Sequence, residues 1–442
     1  MTTSREPPDA PLRLLEVLEP GGGGSGRHFL DLCRGMHARG HHVEAIYSPV
    51  RAEDGFVREL KALGLPAIHA VGMRRAPGPS DWSCLRAINR IIRTAGPFDV
   101  IHGHSSKAGA LTRLRLPGRH VPRVYTPHAF RTMDPTLGRG GRLIYGAIET
   151  LLARFFTDHL VTVSGDEFAH ALSIGISGKG MSVIVNGVDT PSPDMAQTVR
   201  ASFGIPADAF VFGFIGRLSA QKAPERLLNA FGKAASAVRN SHVVMIGSGE
   251  LEEEVRAAIA ASGLQNRIHL TSAFTGPQAV PAFDLLVMPS RYEAMSYVML
   301  EAAAAGRPII ISDVGGAGTA VDHGENGYIV PNSEDVSPLA RAMIAAADPD
   351  MFRRLAGAAA ARRDRFTLKR MLDETEEVYR RMAAQRRRQQ SVRSNQEDWK
   401  PTEMMKAAQS LQGAKGLILI VGAVDSNPGP LTQGERATFW TP

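Results

Sequence analysis

At 442 residues the chain is long for one hydrophobic core and comfortable for two, and its 43% hydrophobic to 21% charged balance excludes a wholly disordered protein. Two cysteines exclude a disulfide scaffold, and Cys33 and Cys84, each in an apolar helical pattern, read as buried free thiols. The net charge of +7 leaves nucleic acid, an anionic membrane surface or a phosphorylated ligand as partner classes.

The start of the chain, MTTSREPPDAPLR, has no apolar h-region, and the longest apolar run, GLILIVGAV at 416–424, is too short to span a bilayer. A cytoplasmic protein is the expectation. Much of the basic excess outside the tail lies in Arg113, Arg115, Arg119, Arg123, Arg131, Arg139 and Arg142. With no zinc-ligand spacing, RNA-binding aromatic motif or helix-turn-helix beside them, nucleic acid is the weaker partner. A solvated basic face and a membrane-contacting face both remain open.

In chain order, strands are expected at LRLLEVLE (12–19), HHVEAIYS (41–48), FDVIHGH (98–104), RVYTPH (123–128) and HLVTVS (159–164). Helices over 25–39 and 54–62 separate the first three. Another helix after 164 opens with Ser164-Gly-Asp-Glu167, a capping-box pattern. The alternation restarts with strands FVFGFIG (210–216), HVVMIG (242–247), RIHLTS (267–272), DLLVMPS (284–290) and RPIIIS (307–312), and with helices from Pro224, Leu251 and Tyr297. Strand and helix in alternation predict an α/β protein of two doubly wound parallel units facing across a cleft. The expected domains are 1–190 and 191–365, with a linker near VNGVDTPSPD (185–194), a helix over 366–385 closing the second unit, and a disordered tail over 386–442.

Three segments carry chemistry. GGGGSG (21–26) lies between a strand and a helix, where bare backbone N–H groups approach an anion, and Gly21, Gly23 and Gly26 satisfy G-x-G-x-x-G. No acidic residue follows the second strand to hold an NAD ribose, though Arg51 suits NADP. GRLSAQK (216–222) sets Arg217 and Lys222 at the carboxyl end of a buried strand, where they suit a diphosphate leaving group. RYEAMSYVMLEA (291–302) holds two carboxylates, Glu293 and Glu301, in an otherwise apolar run. With Glu293 at the turn and Glu301 two helical turns inside, the axial separation is on the order of 12 Å, the reach from a sugar to its nucleotide's ribose across a diphosphate. The N–H groups of Met295 and Ser296 would lie between them, facing phosphate or sugar.

On these residues the chain resembles the retaining glycosyltransferases of family 4, which have the GT-B fold. The likeness covers about residues 12–383 and rests on Glu293 and Glu301 as E-x7-E, GRLSAQK, VIVNGVD (183–189), GSGEL (247–251), the glycine-rich loop and YTPHAF (125–130). It implies that Glu293 holds donor-sugar hydroxyls, Glu301 the ribose, and Arg217 and Lys222 the diphosphate. Backbone at Gly23 and Gly24 would approach the diphosphate from the other domain, with His128 against the transferred sugar. HGHSSKAGALTRL with YTPHAF resembles the bacterial branch that builds capsule, exopolysaccharide or O-antigen. From this follow a lipid-linked or glycan acceptor and a membrane-facing segment over 113–157 at the inner membrane face, while a UDP-sugar donor is the base-rate choice, with guanosine left open. Ala294 stands where the family usually has glycine, a departure that bears on donor-sugar geometry.

The expected reaction is glycosyl transfer with retention along a front-face path, without a protein nucleophile, a cofactor or a metal. The sole D-x-D, Asp348-Pro-Asp350, lies between helices without supporting ligands. His102 and His104 are expected to be structural or to lie on the acceptor side. The rival readings are an NADP-dependent oxidoreductase, a nucleotide-sugar 2-epimerase or binding protein on the same plan, and a non-catalytic membrane scaffold.

Overall fold

A computed structural model describes residues 10–114, 120–134, 137–293 and 295–397. Ala294, Arg115, Arg119 and the 416–424 run lie outside the described residues. Residues 1–387 make one compact unit and 388–442 a second, of which the described part, 388–397, is helical.

The first lobe runs β1 (Arg13–Leu18), α1 (Gly23–Ala38), β2 (His42–Tyr47), α2 (Asp54–Ala62), β3 (Ala67–Ala70), α3 (Ser80–Thr94), β4 (Val100–His104), α4 (Ser105–Arg113), β5 (Arg123–Thr126), α5 (Arg139–Phe156), β6 (His159–Thr162), α6 (Gly165–Ser173) and β7 (Met181–Val183). The second runs α7 (Ala196–Ser202), β8 (Phe210–Ile215), α8 (Pro224–Ala234), β9 (Ser241–Ile246), α9 (Glu252–Ala261), β10 (Ile268–Thr271), α10 (Gly276–Ala279), β11 (Leu285–Met288), α11 (Tyr297–Ala304), β12 (Ile309–Ser312), α12 (Ala317–Ala320), β13 (Gly327–Val330), α13 (Ser337–Ala346) and α14 (Pro349–Ala360). α15 (Leu368–Glu397) follows.

The strands pair in parallel in two sheets, ordered β3-β2-β1-β4-β5-β6-β7 and β10-β9-β8-β11-β12-β13. In each the order reverses beside the first strand of the lobe, and the crevice outside those carboxyl ends is where such folds bind ligands. Apolar cores cover both faces, as the near-continuous Leu, Ile and Val of β11 and β12 demand of strands buried on both sides.

Three expectations change. The helix after Phe366 does not close the second lobe: it returns to the first, where Met371, Leu372, Val378, Tyr379, Met382 and Ala383 join the core formed by β1, α1 and β2. Burying each of the larger of these side chains is worth about 1.5–3 kcal/mol, which is what holds the return crossing in place. The helix also runs on to Glu397, so the first part of the expected tail is ordered backbone. Finally, the basic run over 113–142 is not one solvated face. Arg113 is fully buried, ion-paired to Glu149 at 2.8 Å with its guanidinium 3.7 Å from the centre of the Tyr125 ring, and Arg123 is buried too.

The Ser164 cap forms in half. The Ser164 hydroxyl accepts from Glu167 N–H at 3.1 Å, but the Glu167 carboxylate turns away to accept from Val163 N–H at 2.7 Å and Ala129 N–H at 2.6 Å. Both cysteines are buried free thiols, as expected.

Candidate active site

Parallel strands end where their helices begin, so side chains and amides at the carboxyl ends of β1, β4 and β5 face those at the ends of β8 and β11 across the cleft. Gly23 and Gly24 open α1. Gly23 has φ +57° with open space around it, and a side chain on Gly24 would point at the Tyr297 ring, 3.7 Å away on α11 of the other lobe. The glycine loop thus lies over the start of α11. Ser296 takes the N-cap position there without a side-chain cap bond, which leaves first-turn N–H groups to a ligand. The Met295 side chain is buried in the second lobe's core, so only its backbone is available.

α11 begins at Tyr297, which puts Glu301 one turn inside rather than two, and the axial-rise estimate from Glu293 does not apply to the non-helical residues before it. Glu301 is 7% exposed, and its carboxylate makes no hydrogen bond among the described residues. Its Oε2 lies 2.5 Å from where a Cβ on Gly276 would be, so a side chain at the start of α10 would push the Glu301 carboxylate from its place. Burial raises the Glu301 carboxyl to about 7, against the lowering pull of Arg27 on α1. A buried carboxylate without a protein donor is costly unless something else supplies one.

Glu293 is satisfied within the protein: its Oε1 accepts from Lys222 Nζ at 2.5 Å and from the Ser290 hydroxyl at 2.8 Å. The loops carrying them are tied further by Arg291 N–H to Gln221 O at 2.8 Å and Gln221 Nε2 to Tyr292 O at 3.1 Å. Lys222 and Glu293 therefore meet each other, whereas Arg217 is exposed and makes no hydrogen bond among the described residues.

His128, with φ +53°, and Ala129, with φ +80°, form a left-handed pair after β5, a strained conformation for non-glycine residues, held by the Glu167 carboxylate on Ala129 N–H. Behind His128 lies a chain of buried polar groups. His104 Nδ1 is 3.2 Å from His128 Nε2, His104 Nε2 is 2.9 Å from Glu16 Oε2, and the Tyr379 hydroxyl donates to Glu16 Oε1 at 2.7 Å. His102 bonds Tyr379 at 2.6 Å and Thr126 at 2.8 Å, while His28 bonds Asn186 at 2.9 Å. His102 and His104 are structural in this sense, buried and saturated. Among the described residues, His28, His104 and His128, and likewise Glu16, His102 and His104, bring their polar atoms within 4.8 Å of one another. Both nitrogens of His102 and of His104 already have protein partners, so the geometry is that of a hydrogen-bonded chain and not of a metal centre. Asp348 of the D-x-D caps α14, accepting from Asp350 N–H and Met351 N–H at 3.1 and 3.0 Å. Arg51 pairs with Glu19 at 2.8 Å, which removes the cation expected to suit NADP.

Sequence reasoning missed Arg27, His28, Tyr297, Asn186, Glu16 and Glu167. Asn186 lay in VIVNGVD, Tyr297 in RYEAMSYVMLEA and Glu167 in the capping-box pattern without a site role being given to any of them, and Arg27 and His28 directly follow the glycine loop. The buried Tyr297 hydroxyl has no hydrogen-bond partner among the described residues and shares the Glu301 corner of the cleft with Arg27 and Asp31.

Two facing parallel α/β lobes, with a glycine-rich loop opposite a carboxylate-bearing helix, make the GT-B fold. Residues 22–191 match the model of Glycosyltransferase Family 4 and residues 209–348 that of Glycosyl transferases group 1, and the chain belongs to this family of retaining, nucleotide-sugar-dependent enzymes. It is 27% identical over 281 residues to the UDP-Gal:alpha-D-GlcNAc-diphosphoundecaprenol alpha-1,3-galactosyltransferase of Escherichia coli, covering 61% of this chain and 71% of that one. It is also 27% identical over 396 residues to the D-inositol 3-phosphate glycosyltransferase of Acidothermus cellulolyticus, with 83% and 87% covered. Among solved structures, Anabaena HepE in complex with UDP and glucose superposes with a TM-score of 0.67 at 20% identity, covering 83% of this chain and 99% of that one. The GT-B fold and the glycosyltransferase activity expected from sequence are borne out, and the oxidoreductase and epimerase readings fall away.

Proposed function

We propose that the enzyme transfers a sugar from a UDP-sugar to a hydroxyl of a lipid-linked acceptor in cell-surface glycan synthesis, working at the inner membrane face. The observation that carries the acceptor assignment is the outer face of α5. Leu143, Ile144, Ile148, Leu151 and Phe155 are exposed along one side of it, with Arg139, Arg142 and Arg154 exposed beside them. The one acid of this helix, Glu149, is buried against Arg113. An apolar stripe flanked by cations and free of exposed acids suits the headgroup boundary of an anionic bilayer. No helix among the described residues is long and apolar enough to cross a membrane, so the contact would be peripheral. The diphosphoundecaprenol in the Escherichia coli relative's name supports a polyprenyl-linked acceptor. The D-inositol 3-phosphate relatives offer a small water-soluble acceptor instead, which would give the α5 stripe no work.

In this reading Glu301 accepts from the ribose hydroxyls and first-turn amides of α11 meet the diphosphate together with the backbone at Gly23 and Gly24. Arg217 and Lys222 stabilise the leaving group's developing charge. Glu293 holds donor-sugar hydroxyls, with Lys222 exchanging its carboxylate for phosphate when donor enters. His128 lies against the transferred sugar, and the acceptor attacks from the leaving-group face, giving its proton to the departing diphosphate. Two cations and a helix terminus supply the phosphate charge without a metal. The test is a panel of nucleotide sugars scored for nucleoside diphosphate release with and without a polyprenyl-diphosphate-linked acceptor. Release confined to a UDP-sugar and raised by that acceptor supports the proposal; transfer to inositol phosphate alone refutes its acceptor.

A further inference from the structure

His128 is half-buried at the cleft, and its Nε2 faces His104; its Nδ1 has no partner among the described residues. From Nε2 the chain of contacts runs inward through both nitrogens of His104 to Glu16, at 3.2 and 2.9 Å. Each link carries one proton, so the direction in which one hydrogen bond points fixes the next. We propose that Glu16 and His104 are positioning residues that set which nitrogen of His128 carries its proton, and hence whether His128 offers the cleft a donor or an acceptor. This rests on the reading that His128 faces the transferred sugar.

The two states balance as follows. With Glu16 protonated, its Oε2–H donates to His104 Nε2, His104 Nδ1–H donates to His128 Nε2, and His128 carries its own proton at Nδ1. With Glu16 ionised, Oε2 accepts from His104 Nε2–H, His104 Nδ1 accepts from His128 Nε2–H, and His128 Nδ1 is bare. One proton leaves the chain between the two, and no imidazole becomes charged in either.

The surroundings let only the carboxyl titrate in the working range. The ionisable groups around Glu16 are Cys33 from α1, His102 and His104 from β4 and Tyr379 from α15, while β2 opposes it with Ala45. No cation is among them. Burial raises the Glu16 carboxyl to about 8 against the smaller lowering effect of the Tyr379 hydroxyl. Burial likewise pushes His104 down to about 3 and His128 well below its usual value, with His28 and His104 adding to the latter. Below about pH 8 the donor state follows, and Nδ1–H points to whatever oxygen the ligand places there.

Nitrogen-15 spectra of the histidine side chains in the full-length protein test this, with the His128 signal assigned by its loss in His128→Asn. In the wild type, His128 should change from the Nδ1–H to the Nε2–H tautomer as pH rises through about 8. Glu16→Gln, whose amide donates to His104 while its oxygen accepts from Tyr379, should hold His128 as Nδ1–H at every pH. Tyr379→Phe, which removes the lowering hydrogen bond, should move the change to higher pH. An unchanging tautomer in the wild type, or a Glu16→Gln protein that switches like it, overturns the proposal. The wild-type and Tyr379→Phe titrations decide it even where Glu16→Gln does not fold. Turnover of His128→Ala reports separately on the underlying reading: unchanged kcat/KM would remove His128 from the reaction while leaving the tautomer result standing.

Discussion

Lys222 Nζ lies 2.5 Å from Glu293 Oε1, so the cation assigned to the diphosphate and the carboxylate assigned to the sugar neutralise each other. The pair is largely buried, and removing one partner leaves the other charge poorly solvated. Lys222→Ala should lower kcat roughly 100- to 1000-fold, the usual cost of losing one group that stabilises developing negative charge. Lys222→Arg should recover part of it. Steady-state kinetics on the cognate donor check both, and an unaltered kcat in Lys222→Ala removes the residue from the reaction.

Glu167 holds the left-handed turn at His128 and Ala129 through one carboxylate oxygen on Ala129 N–H. Glu167→Ala should release the turn and lower kcat about tenfold or more, with little change in UDP affinity, because the contacts assigned to Glu301, Arg217 and Lys222 lie on the other lobe and those at Gly23 and Gly24 on a different loop. Replacing Ala129 by glycine, which adopts positive φ without strain, should be neutral or better. Kinetics and UDP titration together separate this from general destabilisation.

Arg113, Glu149 and Tyr125 form a buried polar knot between β5, α4 and α5, with the Tyr125 hydroxyl donating to Glu149 at 3.0 Å. Glu149→Ala leaves a fully buried guanidinium unpaired and should cost about 3–5 kcal/mol of folding stability. Chemical denaturation reads this directly, and a loss under about 1 kcal/mol would show that the guanidinium finds water or another acceptor.

The α5 stripe should bind vesicles. Sedimentation with liposomes containing anionic lipid should recover the wild-type protein, and recovery should fall steeply with salt. Ile144→Asp combined with Leu151→Asp should lose it while turnover of a short-chain soluble acceptor persists. Equal sedimentation of both proteins would place the membrane contact elsewhere.

What could be read from sequence was local. FVFGFIG, DLLVMPS and RPIIIS read as buried strands because they are short, β-rich and apolar, and Glu293 and Glu301 stood out because a carboxylate in such a run needs a partner. Glu16 was invisible for the opposite reason: LRLLEVLE alternates in part, so its acid looks like an outward-facing residue until α15 is known to cover that face. That cover comes from Tyr379, 363 residues away, and no local pattern announces so distant a contact. Edge strands such as AIHA in β3 are half-exposed and carry little apolar signal. The positive φ of His128 and Ala129 is held by Glu167, on α6 three elements on, and no glycine marks it in the sequence.

The most direct measurement is calorimetric titration of UDP into the wild type, Glu301→Gln and Glu301→Ala across pH 6 to 8. An acid raised to about 7 becomes the acceptor its ribose partner needs only as pH climbs through that value, so wild-type affinity should rise over the interval beyond what UDP's own ionisation contributes. Glu301→Gln should lose the extra rise, and Glu301→Ala should bind at least tenfold more weakly at pH 8. Equal affinities in all three proteins, with one shared pH profile, would contradict the assignment of this cleft to a nucleoside diphosphate.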